Sequence, residues 1–252
     1  MNPARPTVRG PRAAVLALAV LAVGVGACSA DPGTPDAPSV TPETSVLTSA
    51  AAPPTEQRDH ALDDDLYAAA LADDAAGVRD LIARGADMET RGDNGRTPLV
   101  AATKNRATAA AVALIEAGAD VNAKDDLQDS AYLYAGAEGL DEILAATLRH
   151  GADLRSVNRY GGTALIPASE HAHVRTVRML IAAGVDVNHV NTPRWTALQE
   201  AVVYGDGSQR YQETVMALLA AGADPQIRDA EGRTALQNAE RLGQDAIVAL
   251  LR

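Results

Sequence analysis

One spacing constrains this chain more than anything else in it. A Gly-small-Asp element recurs as Gly85-Ala86-Asp87, Gly118-Ala119-Asp120, Gly151-Ala152-Asp153, Gly184-Val185-Asp186 and Gly222-Ala223-Asp224. The intervals are 33, 33, 33 and 38 residues. A second element keeps the same intervals: Thr97-Pro98-Leu99, Ser130-Ala131-Tyr132, Thr163-Ala164-Leu165, Thr196-Ala197-Leu198 and Thr234-Ala235-Leu236. Two motifs that share one period and one insertion define a repeat array. A unit this small cannot bury its own apolar face, so the units must stack.

Each copy reads as helix, turn, helix and projecting hairpin. The Thr hydroxyl stands where it can cap a short first helix. An Ala follows five residues later (Ala102, Ala135, Ala168, Ala201, Ala239), small enough for neighbouring helices to approach closely. A second helix carries apolar pairs such as Leu114-Ile115, Leu180-Ile181, Leu218-Leu219 and Leu250-Leu251. Gly ends it where a left-handed residue is needed. Turn-rich stretches such as Asp93-Asn94-Gly95 and Ala230-Glu231-Gly232 lead to the next Thr. Composition agrees: the 252 residues include one Trp, six Tyr and no Phe. A deep core leans on rings that each bury about 150–250 Å². This chain must instead use thin layers of Leu, Ile, Val and Ala.

These residues resemble the ankyrin repeat, built around T-P-L-H-x-A and G-A-D-V-N; Asn122 and Asn188 complete the second motif. The resemblance implies an all-α solenoid of stacked helix-turn-helix units with projecting hairpin loops. It covers residues 60–252 in about six repeats: 61–91, 92–124, 125–157, 158–190, 191–228 and 229–252. The polar run Asp63-Asp64-Asp65 suits an N-terminal cap, and the sixth repeat a C-terminal one. The motif's His is replaced by Val100, Leu133, Ile166, Gln199 and Gln237. In the family this His joins a hydrogen-bond network between loops, so that network is expected to be weaker here. The fifth repeat carries a five-residue insertion between its helices, within 204–211. Loops of this kind tolerate insertion and often carry function.

Residues 1–59 read differently. Arg5, Arg9 and Arg12 flank an apolar run, Ala13–Ala27, with no acid before Asp31. The run is shorter than the roughly 20 residues of a transmembrane helix, and fits a signal peptide over 1–27. Val25-Gly26-Ala27-Cys28 resembles a bacterial lipobox and implies cleavage before Cys28 and lipidation of its thiol. Residues 28–59 are expected to form the lipidated Cys and a disordered tether. Six of the thirteen prolines lie there, with many Thr, Ser and Ala and few large apolar side chains. Thr34-Pro35 and Thr41-Pro42 would suit glycosylation. The expected location is the extracytoplasmic face of the cell membrane, through the lipid on Cys28. The formal charge is −11; without residues 1–27 it becomes 19 basic against 33 acidic, −14. An acidic chain of this kind is no general nucleic-acid binder.

Little points to chemistry. Cys28 is the one cysteine, which excludes an intramolecular disulfide and a multi-thiolate metal site. His171-Ala-His173 lacks further zinc ligands. The periodic Asp residues follow the repeat and read as loop stabilisers. No nucleophile elbow, phosphate loop or dinucleotide fingerprint is present. We therefore expect no enzyme, no cofactor and no metal, but a monomeric protein that binds another protein. The alternative is an inhibitor, immunity or accessory protein acting on one envelope enzyme or toxin. The resemblance places contacts at hairpin tips and first helices. The candidates are Arg96, Lys104, Asn105, Asp129, Arg159, Tyr160, His171, Arg194, Trp195, Tyr204, Arg210, Arg233 and Arg241. Tyr160, Trp195 and Tyr204, with Arg159, Arg194 and Arg210 near them, form the expected patch, since Trp, Tyr and Arg dominate interface hot spots.

Overall fold

The computed structural model describes residues 60–252. The expected signal peptide, the lipid site at Cys28 and the tether therefore lie outside the described residues. Six antiparallel helix pairs follow in order: α1 (His60–Leu71) with α2 (Ala75–Ala83), α3 (Pro98–Lys104) with α4 (Thr108–Glu116), and α5 (Ala131–Ala137) with α6 (Asp141–Arg149). The next are α7 (Leu165–Glu170) with α8 (Val174–Ala183), α9 (Ala197–Val203) with α10 (Gln209–Ala220), and α11 (Ala235–Leu242) with α12 (Asp245–Leu251). The odd-numbered helices pack on one another in one layer and the even-numbered helices in a second. The fold is all-helical, with no strand among the described residues.

The core is one continuous seam between those layers. Ala102, Ala135, Ala168, Ala201 and Ala239 are fully buried along it, which is how the odd helices come so close. At Gly136 the approach of α5 to α7 is closer still: a Cβ there would lie 2.8 Å from the Ala164 Cβ. Leu66, Leu99, Leu114, Ile115, Leu165, Leu180, Leu198 and Leu218 fill the spaces between. Tyr132 is fully buried and Tyr211 nearly so.

The turn chemistry follows the repeat. Gly85, Gly118, Gly151, Gly184 and Gly222 end the even helices at φ between +83° and +99°, where a side chain would be strained. The Asp two residues on accepts a backbone N–H in every copy, from Glu89, Asn122, Arg155, Asn188 and Gln226. These carboxylates build the loops. Asn122 and Asn188 then clamp successive units: each accepts from the next copy's Asp N–H and donates to the next copy's Gly carbonyl.

Caps depart from expectation at one place. Ser130 and the threonines 97, 196 and 234 accept an N–H three residues on, and Thr234 with Gln237 forms a capping box. Thr163 does not: its buried hydroxyl has no partner, and Ile166 N–H bonds the Thr163 carbonyl instead. The helix it precedes, α7, begins one residue later than its counterparts, at Leu165.

The weakened loop network is found in three units, where Val100, Leu133 and Ile166 are buried apolar side chains. The fifth unit differs. Gln199 donates to the Ile227 and Arg233 carbonyls and accepts from Asn238, which rebuilds a link to the following hairpin. The insertion is also more ordered than a surface loop need be. Residues 204–208 turn the chain, and the remainder lengthens α10 to 12 residues. Tyr211 is buried and donates its hydroxyl to the Glu170 carbonyl at 2.9 Å.

Candidate functional site

The hairpins and the odd helices meet along one face. Each hairpin is closed by a backbone pair: Gly92 to Arg96, Asp125 to Asp129, Asn158 to Gly162, Asn191 to Trp195 and Asp229 to Arg233. In four of them the first residue's side chain also accepts N–H groups from its own tip. Neighbouring hairpins are tied by Asp126 N–H to Asn94 and Thr192 N–H to Tyr160. Leu127 and Tyr160 occupy equivalent tips of adjacent hairpins and are 45% and 54% exposed, an apolar ridge.

Between the second and third units the face holds a closed charge cluster. Lys104 bridges Asp125 (2.5 Å) and Asp129 (2.9 Å) and lies 5.2 Å from the Tyr134 ring centroid. Arg96 stands 3.7 Å from Asp125, and Arg159 3.9 Å from Asp129. Burial alone would raise the Asp125 carboxyl, but the Lys104 hydrogen bond and charge and two loop N–H groups hold it below the usual carboxylate range. Lys104 is only 10% exposed, so this candidate is committed inside the fold. Asn105 is likewise occupied, donating to the Leu71 carbonyl.

Two repeats further on, between the fourth and fifth units, the same positions carry other chemistry. Glu170 stands where Lys104 stood, Gly162 replaces Arg96, Asn191 replaces Asp125, Trp195 replaces Asp129 and Glu200 replaces Tyr134. Asn191 is the hub. Its Oδ1 accepts the Trp195 N–H at 2.8 Å, and its Nδ2 donates to Glu200 Oε1 at 3.1 Å. Glu200 is 7% exposed and its Oε2 is buried with no partner. Burial first, and the Glu170 charge second, push its carboxyl up to about 8. Among the described residues no ion pair reaches Glu170 or Glu200. Trp195 and Tyr204 pack ring to ring with centroids 5.3 Å apart. Tyr204 is 58% exposed. Burial, then Glu200 and Glu170, raise its phenol above the usual range.

The structure thus brings Trp195 and Tyr204 together but gives them acidic company. Of the arginines expected nearby, Arg159 packs on its own Tyr160 ring at 4.7 Å and Arg210 on Tyr211 at 5.0 Å. Arg194 is exposed at the hairpin tip with φ +68°. His171 is exposed at the end of α7, its ring 5.6 Å from His173. Burial, then His171, lower the His173 imidazole below its ordinary range. Arg233 is held by Asn238, Asp229 and Glu231, and Arg241 reaches Asn238 at 3.4 Å. Sequence reasoning missed Glu200. The available signal was a charge at a first-helix position filled by Ala101, Tyr134 and Pro167 in other copies. Among the described residues, no group of three or more His, Cys, Asp or Glu is placed to hold a metal ion. No helix there is long and apolar enough to cross a membrane.

Stacked helix pairs presenting a hairpin-and-helix face define a repeat solenoid of the kind that binds other proteins. The family described as ankyrin repeats (3 copies) matches residues 66–158 and 132–229, and the chain belongs to it. The ankyrin repeat protein YahD of Escherichia coli (strain K12) is 35% identical over 188 residues, 74% of this chain and 94% of that one. Cyclin-dependent kinase inhibitor 2A of Monodelphis domestica is 33% identical over 118 residues, 47% of this chain and 66% of that one. The crystal structure of an ankyrin repeat domain from Acinetobacter baumannii AYE is similar at TM-score 0.72 and 54% identity. It covers 74% of this chain and 95% of its own. Ankyrin repeat proteins are generally non-enzymatic binding scaffolds.

Proposed function

We propose that the chain is an exported, lipid-anchored scaffold of the bacterial envelope. Its hairpin tips and odd helices capture one protein partner on the concave face. The observation that carries the binding half is the exposure of three large side chains, Leu127 and Tyr160 at hairpin tips and Tyr204 at the end of α9. The anchoring half rests on the basic, apolar, lipobox-like order of residues 1–28. Acyl chains contribute about 0.8 kcal/mol per buried CH₂, so two or more anchor stably. An acidic domain would gain no adhesion from an anionic membrane, so the lipid does the holding. Cys28→Ser should abolish incorporation of a labelled fatty acid and release the protein from the membrane fraction. Retained label would overturn the anchoring. Tyr160→Ala combined with Trp195→Ala should remove partner capture from solubilised envelopes, and unchanged capture would overturn the face. A relative named as a kinase inhibitor supports a second reading, in which the captured partner is an enzyme that the array occludes.

A further inference from the structure

The two stations on the hairpin face differ in one respect that has a chemical consequence. Between the second and third units, the two aspartates have Lys104 and Arg96 from the same chain. In the sixth unit, Asp229 has Arg233 and the Asn238 amide. Between the fourth and fifth units Glu170 lies close enough for its charge to act on Glu200, and among the described residues no ion pair reaches either. One oxygen, Glu200 Oε2, is buried with no hydrogen-bond partner. A buried acceptor left unpaired is destabilising, so the fold carries an unmet demand at this point. Beside it lie Trp195 and Tyr204, packed ring to ring at an interplanar angle of 47°, the first partly exposed and the second exposed. Aromatic faces attract cations, and Arg guanidinium in particular stacks on them.

We propose that the station formed by Glu170, Asn191, Trp195, Glu200 and Tyr204 is a receptor for one arginine side chain of the partner protein. The guanidinium lies against the Trp195–Tyr204 pair and between the two carboxylates, supplying the cation that Lys104 supplies two repeats earlier. Tyr204 has solvent on one side and can turn aside, a motion of picoseconds to nanoseconds for an exposed ring. Glu200 enters the complex as carboxylate and releases its proton to solvent as the cation arrives. Asn191 keeps the carboxylate oriented through Oε1. The insertion has a part as well: Tyr211 holds the end of α7 through the Glu170 carbonyl, which fixes where the Glu170 side chain stands. This inference rests on the scaffold reading above and adds the chemistry of what is recognised.

Trp195 is the one tryptophan of the chain and reports on the station directly. The full chain is titrated with acetyl-Gly-Arg-Gly-amide and with its citrulline analogue, which keeps the shape and loses the charge. The arginine peptide should change Trp195 emission saturably, with affinity about tenfold above that of citrulline, as a desolvated cation–π contact supplies. Affinity should rise between pH 6 and pH 9 as Glu200 ionises, and Glu200→Gln should remove both the preference and the pH dependence. Gln keeps the acceptor for Asn191, and Glu170→Gln provides a second test at a partly exposed position. Equal binding of the two peptides, or an arginine preference unchanged in Glu200→Gln and in Glu170→Gln, overturns the proposal. Partner capture separates it from the scaffold reading. A partner retained equally by wild type and Glu200→Gln overturns the receptor alone. Loss of capture in the Tyr160/Trp195 variant but not in Glu200→Gln does the same.

Discussion

The stations at units two–three and four–five are built on one backbone pattern and hold opposite kinds of carboxylate. Asp125 is buried but saturated: Lys104, Arg96 and two loop N–H groups surround it. Glu200 is buried but has one amide donor and an acidic neighbour. The first carboxyl is pulled below its ordinary value and the second pushed far above it. Burial acts in the same direction at both; the partners decide the sign. A repeat array can thus carry a structural rivet on one stretch of its face and, two units later on the same stretch, an unsatisfied group.

The largest effect should come from breaking the saturated station. Asp125→Ala removes the acceptor for Lys104 and for the N–H groups of the third unit's hairpin, leaving a lysine only 10% exposed with one remaining carboxylate. Breaking a buried pair from one side costs about 3–5 kcal/mol, and a shift of that size should appear in the urea midpoint. A loss below about 1 kcal/mol would mean that Asp129 alone satisfies the lysine.

The sharper test is pH, because the two groups run in opposite directions. Asp125 has a lowered folded value, so its contribution is present above the unfolded pKa near 3.8 and is lost as pH falls through the folded value. Glu200 has a raised folded value. Its contribution is full below the unfolded pKa near 4.5 and is lost as pH rises through about 8. The Glu200 contribution to stability should therefore decline from pH 5 to pH 9 by roughly 3–5 kcal/mol. Glu200→Gln should flatten that decline and make the protein more stable than wild type at pH 9. An unchanged slope in denaturation across that range would show that Glu200 stays ionised in the folded state.

Tyr211→Phe is expected to cost about 1 kcal/mol, the net worth of one hydrogen bond. It should also weaken arginine-peptide binding, since it frees the end of α7. The same substitution with no effect on binding would separate the insertion from the site.

Much of the architecture was legible because it is periodic. The 33-residue interval gave the helix pairs; the Gly φ values and the Asp loop bonds follow from residue types at fixed offsets. What the sequence did not show is which neighbour each polar side chain meets. Lys104 looked like a surface cation, yet Asp125, 21 residues on, draws it inside. Arg159 and Arg210 looked like escorts for Trp195, yet each packs on the ring of the next residue. Glu200 escaped notice because a charged side chain on a short helix reads as solvated, and its burial depends on Asn191 nine residues earlier. Packing decides which neighbour a side chain meets, one residue on or a unit away, and the repeat pattern does not encode that choice.

The smallest effect concerns how the helix bearing Glu170 is held. Its neighbour α9 has a Thr196 cap on Gln199 N–H, whereas α7 has no side-chain cap and a buried Thr163 hydroxyl without a partner. Thr196→Val should cost about 1 kcal/mol, the usual worth of an N-cap. Thr163→Val replaces an unsatisfied hydroxyl with a methyl of the same shape, and the change should fall within about 0.5 kcal/mol of zero or be stabilising. Equal losses at the two sites in urea denaturation would mean that Thr163 caps α7 in solution. A neutral Thr163→Val beside a costly Tyr211→Phe would instead show that α7 is positioned from its far end, by the residue that the insertion supplies.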